Sequence, residues 1–121
     1  MSAFKSLADV PPLPIWQGVI ARVVEGREVT FAIVELESDA VVGQHQHPNE
    51  QVGIILQGSL RFNVGGESRD LRAGDTYVIP GGVPHDAIAG PEGAVVIDVF
   101  APVRADWHRF TAGPPRTPKW P

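Results

Sequence analysis

The sequence predicts an all-β fold, a single-domain barrel or jelly roll. Three observations predict it. Short apolar runs recur between turn residues, no long stretch carries a helical period, and 121 residues suffice for one core but not two. Residues 1–15 read as a Pro-rich arm. Its Val10-Pro-Pro-Leu-Pro14 run admits neither a regular helix nor a central strand, so it is expected to lie on the body or on a partner subunit. The barrel spans residues 16–104. Gly18–Val24 and Glu28–Leu36 flank the hairpin turn Glu25-Gly26-Arg27. Val52–Leu56 and Leu60–Val64 flank Gln57-Gly58-Ser59. Gly65-Gly66 leads into Ser68–Leu71, and Ala73-Gly74-Asp75 into Tyr77–Ile79. His85–Ala89 and Ala94–Phe100 flank Gly90-Pro91-Glu92-Gly93. Residues 105–121 form the tail, with one helical turn expected near Ala105–Phe110 and an extended Pro-rich end.

Composition excludes several classes. The formal net charge of -4 comes without a basic cluster, which argues against nucleic acid and anionic membranes as partners. There is no cysteine, hence no disulfide and no thiolate ligand. No apolar run approaches the roughly 18 residues of a membrane span. The N-terminus lacks the charged start and apolar core of a signal peptide, and the chain reads as cytoplasmic.

The chemistry concentrates in two blocks. His45 and His47 stand two apart and Gln51 keeps their odd parity; on a strand, alternate residues point to one side. His85 sits in a second turn rich in Pro and Gly. Three of the four histidines therefore fall in these blocks, and imidazole is the commonest protein ligand for transition metals. The fourth, His108, reads as an ordinary surface residue. The structural alternative for the three is surface or packed histidine.

These blocks resemble the two motifs of the cupins, usually G-x5-H-x-H-x3,4-E-x6-G and G-x5-P-x-G-x2-H-x3-N. The first reads His45-Gln-His47-Pro-Asn-Glu-Gln51, then six residues and Gly58. The second reads Gly74, five residues, Pro80-Gly-Gly82-Val-Pro-His85, three residues and Ala89. Fifteen residues separate Gly58 from Gly74, and the resemblance covers nearly all of residues 16–104. Three positions depart from the pattern: Asp39 and Ala89 replace its opening Gly and closing Asn, and Gln51 replaces its metal-binding Glu. Parity points Glu50 away from the histidines, which keeps Gln51 as the ligand through its side-chain oxygen. The resemblance thus implies a divalent transition metal on His45, His47, Gln51 and His85. Nickel, iron, manganese, cobalt and zinc all accept such ligands. With four neutral ligands the ion keeps its full charge, which favours an anionic substrate.

A further stretch is Ala94–Arg104. Asp98 lies inside an apolar run, where an ionised carboxylate is costly unless paired or used. Phe100 shares its parity, and Arg104 follows the bend at Pro102. They offer an acid/base group, an aromatic wall and a guanidinium for a carboxylate. The alternative is a structural ion pair of Asp98 with Arg104 or Arg22. Together, His-x-His-x3-Gln, the distal His and Asp-x-Phe-x3-Arg resemble the KdgF family of small cupins. That resemblance implies an enzyme converting 4,5-unsaturated monouronates, released by pectin and alginate lyases, to the linear keto form. It implies Asp98, Phe100 and Arg104 as the residues of catalysis, a small sugar acid as substrate, and, as for other single-domain cupins, a homodimer. The readings kept beside it are an iron- or manganese-dependent dioxygenase and a non-catalytic ligand sensor. Glu35, Arg22 and Gln17 are further candidates for the cavity. Trp16, Phe31, Phe62 and Tyr77 read as core or rim packing, and Gly53, Gly58, Gly65, Gly66, Gly74, Gly81 and Gly82 as turns and barrel corners.

Overall fold

A computed structural model describes residues 2–121. Eight strands form one antiparallel sheet that curls on itself: β1 (Pro12–Trp16), β2 (Val19–Glu25), β3 (Thr30–Leu36), β4 (Val41–His45), β5 (Glu50–Val64), β6 (Glu67–Arg72), β7 (Thr76–Ile79) and β8 (His85–Ala101). Their order is β1-β2-β3-β8-β5-β6, with β4 paired to β8 and β7 to β5. The all-β barrel is as expected. Among the described residues no helix is long and apolar enough to cross a membrane.

Two expected turns are not turns. Residues 57–59 and 90–93 lie inside β5 and β8, which run side by side from Glu50↔Ala101 to Val64↔His85. The register shifts at Ile55/Gln57 and Gly58/Leu60 bend these strands instead of reversing them. Gly58 (φ +74) makes the corner possible, because a Cβ there would overlap the carbonyl of Gly93. One half of β8 pairs with β3 and the other with β4, so the bend closes the barrel.

The Pro-rich arm is part of the sheet from Pro12 onward. As β1 it pairs only with β2, and its prolines sit on an edge where a missing N–H is tolerated. The expected single turn is a 3-10 helix, Ala105–Arg109. The tail has no regular structure but crosses the outside of the sheet, where the Gly113 N–H donates to Pro12 O (2.8 Å) and the Lys119 N–H to Glu35 Oε2 (3.1 Å). Inside the barrel, even-numbered β3 residues Ala32, Val34 and Leu36 pack with Ile55, Leu60 and Val96. The odd-numbered β3 residues face outward, and that parity decides the fate of Glu35.

Candidate metal centre

His45 ends β4, His85 opens β8, and the two are register partners. His47 lies two residues beyond the end of β4, so the shared-strand argument fails for it. The turn from Gln46 to Asn49 nevertheless returns its ring to the same place. One ring nitrogen from each histidine falls within 4.8 Å of the others.

The orientation of each ring is fixed from behind. Nδ1 of His45 donates to Gly43 O (2.8 Å), that of His47 to Asn49 O (3.0 Å) and that of His85 to Val83 O (2.9 Å). A carbonyl only accepts, so each Nδ1 carries the proton and each Nε2 presents a lone pair. The Nε2 of His85 is buried without a hydrogen-bond partner among the described residues. The Nε2 of His47 faces Gln51 Oε1 at 3.1 Å. Gln51 cannot turn its amide to relieve this, because its Nε2 donates to Asp98 Oδ1 (3.0 Å). Two acceptors therefore face each other beside an unpartnered third. Protonation is no remedy: burial, and then Arg104, lower the pKa of His47, and burial lowers that of His85 to about 4. A cation satisfies all of these lone pairs together, and this donor set fits a divalent transition metal. Glu50 is exposed and Gln51 buried, as expected, although Gln51 stands on β5 and not on the strand of His45.

Asp98 adjoins this quartet. Its Oδ1 accepts from both Gln51 Nε2 and Tyr77 Oη (2.5 Å). Its Oδ2 has no hydrogen-bond partner among the described residues and is not sealed off. Burial raises its pKa to about 6, against the opposing pull of Tyr77, Gln51 and Arg104. Burial and the Asp98 charge push Tyr77 well above its usual value, so it remains a donor. Neither expected ion pair of Asp98 forms. The Arg104 fork grips Asp106 (3.0 and 2.9 Å), and Arg22 grips Glu35 (2.6 Å).

Arg104 is held between two rings, its guanidinium carbon 4.7 Å from the centre of Phe100 and 4.5 Å from that of Trp107. Asn49 ties the His47 turn to the Arg104 loop by donating to Pro102 O (2.6 Å) and Val103 O (3.1 Å). His45, Gln51, Tyr77, His85, Asp98, Phe100 and Arg104 line one inner cavity of about 70 Å³. An outer chamber of about 380 Å³ shares Ile15, Trp16, His45, Arg104 and Trp107 with it, so arm and tail both contribute to its wall.

Three candidates for the cavity are not in its lining. Glu35 and Arg22 point outward on β3 and β2, and Gln17 is exposed in the turn before β2. Conversely, Tyr77 and Trp107 line the cavity, although neither was expected to have a chemical role. For Tyr77 a signal existed in Gly53, a glycine inside an alternating strand. It stands opposite both Asp98 and Tyr77 and leaves room for the tyrosine ring; it is no corner.

The family described as Cupin domain matches residues 32–100. The chain belongs to the cupin family. It is 31% identical over 81 residues to pectin degradation protein KdgF of Dickeya dadantii, across 66% of this chain and 74% of that protein. It is 32% identical over 88 residues to dimethylsulfoniopropionate lyase DddW of Ruegeria pomeroyi, across 71% of this chain but 58% of that protein's length. The solved KdgF from Halomonas sp. superposes with a TM-score of 0.80 at 29% identity, covering 88% of this chain and 98% of that one. This cupin also explains one departure from its motif. Asp39, which replaces the opening glycine, adopts φ 60, the left-handed turn conformation that the motif's glycine suits; Asp tolerates it better than most residues.

Proposed function

We propose that this cupin converts 4,5-unsaturated monouronates to their linear keto form. The observation that carries the reading is Asp98, whose Oδ2 has no hydrogen-bond partner among the described residues and which lines one cavity with His45, Gln51, His85 and Arg104. The similarity to KdgF, named for pectin degradation, supports the substrate class. In this reading His45, His47, Gln51 and His85 hold a divalent transition metal. When bound, the ion supplies a positive centre that polarises oxygens of the sugar acid.

The remaining steps belong to the chain's own residues. Opening the ring and ketonising the enol is a net isomerisation: one proton leaves an oxygen and one reaches carbon. A single carboxyl that takes and returns a proton at Oδ2 suffices, and the raised pKa of Asp98 suits both directions. Arg104 uses Nε and Nη2 on Asp106, and its Nη1 is the donor for the substrate's carboxylate. Phe100 and Trp107 hold the guanidinium in place and offer apolar surface to the sugar.

The test is turnover of 4,5-unsaturated galacturonate by metal-loaded protein, following loss of the alkene by NMR against the uncatalysed background. Acceleration that a chelator abolishes is expected. No acceleration from protein shown to contain metal would overturn the reading.

A further inference from the structure

We infer that Tyr77 is a positioning residue that holds the Asp98 carboxyl by Oδ1 and so determines which of its oxygens is left for a substrate. The activity part of this inference rests on the uronate reading; its structural part does not. Asp98 Oδ1 already receives two hydrogens, from Tyr77 Oη and Gln51 Nε2. Both lone-pair positions of that oxygen are thereby used. Oδ2 has no donor among the described residues and is not enclosed, so it is the oxygen left for a ligand. With the Gln51 donor alone the carboxyl is held by one contact and is free to turn.

The backbone is built to admit this contact. Tyr77 lies on β7 and Asp98 on β8, with β5 between them. Gly53 of β5 is register partner to both. A Cβ at Gly53 would collide with Cζ, Cε1 and Oη of Tyr77. The missing side chain is the slot through which the hydroxyl crosses a strand to reach the carboxyl. Phe62 backs the ring from the other side, with centroids 4.8 Å apart. A tyrosine that merely packed would need the ring and not the slot.

The test compares Tyr77→Phe, Gly53→Ala and the double variant in full-length, metal-loaded protein. Tyr77→Phe keeps the ring on Phe62 and removes only the hydroxyl; Gly53→Ala keeps the hydroxyl and displaces it. Each single variant is expected to keep its metal and a KM within about twofold of the parent, while kcat falls by about tenfold or more. The double variant is expected to be no slower than the slower single one, because both changes break one contact. An unchanged kcat in Tyr77→Phe, or losses that multiply in the double variant, would overturn the inference. A second readout needs no substrate: the infrared stretches of the Asp98 carboxyl, isolated by subtracting the spectrum of Asp98→Asn. They should move in both single variants, and unmoved stretches would refute the contact. If the parent fails to turn over unsaturated uronates, the functional reading falls and the infrared result alone decides the role of Tyr77. If one single variant does not fold, the other still decides.

Discussion

Two buried carboxylates, on neighbouring strands, show how position in this barrel separates structure from chemistry. Glu35 on β3 faces outward. It meets Arg22 at 2.6 Å and the Lys119 N–H at 3.1 Å, and the tail covers the pair as Arg22 Nη2 donates to Arg116 O (2.8 Å). Asp98 on β8 faces inward and has no cation in its hydrogen bonds, only the neutral donors of Gln51 and Tyr77. One carboxylate is taken up by a cation and the tail. Neutral partners and a cavity leave the other with a pKa near 6 and an oxygen free to exchange a proton. A buried acid is thus informative through what neutralises it more than through burial alone.

The contrast can be broken from either side. The largest effect is expected from His85→Ala, which removes a buried lone pair of the proposed metal quartet. Metal content after dialysis and uronate turnover should both fall to background; a full complement of metal would show that His85 is not a ligand. On the other face, Arg22→Ala strands Glu35 without its partner. A loss of about 3–5 kcal/mol in urea unfolding is expected, the usual cost of breaking a buried pair. A loss under about 1 kcal/mol would mean that the tail yields and water reaches Glu35.

A subtler change sharpens the inner half. Gln51→Glu restores the usual cupin ligand but sets a carboxylate against Asp98 Oδ1, where the amide now donates. Two carboxylates so close must share a proton. Metal should be retained while turnover falls by about 10- to 100-fold, the range for altered partners around a metal site. Unaltered turnover would show that the amide is not needed. The smallest effect is expected for His108→Ala. His108 is exposed and, among the described residues, pairs only with Glu25 (2.8 Å), so stability should change by no more than about 0.5 kcal/mol and turnover not at all.

Much of the candidate site was legible because its residues are few and regularly spaced. His45, His47, Gln51 and His85 stand in two blocks, Asp98 and Phe100 share the parity of one strand, and Arg104 follows the bend at Pro102; all line the inner or the outer chamber. The all-β fold followed from short runs between turn residues. The glycines within β5 and β8 misled, because they bend long strands through register shifts, a choice set by the paired neighbour and invisible along one chain. Glu35 was undecided for the same reason. Only the register of β3 against β2 and β8 fixes its outward face, and its partner Arg22 is 13 residues away. Tyr77 was read as packing because its hydroxyl reaches Asp98 across a third strand, 21 residues on.

The most direct test of the contrast is metal content and uronate turnover, measured side by side on Asp98→Asn. An asparagine Oδ1 can accept from the same two donors, so the fold and the quartet should persist. The folded pKa of Asp98, about 6, lies above its ordinary 3.8, so its charge disfavours folding near neutrality and its removal should not lower stability. Full metal content with turnover reduced by about 10²- to 10⁴-fold is expected. Normal turnover in that variant would place Asp98 with Glu35 as structure and contradict the account.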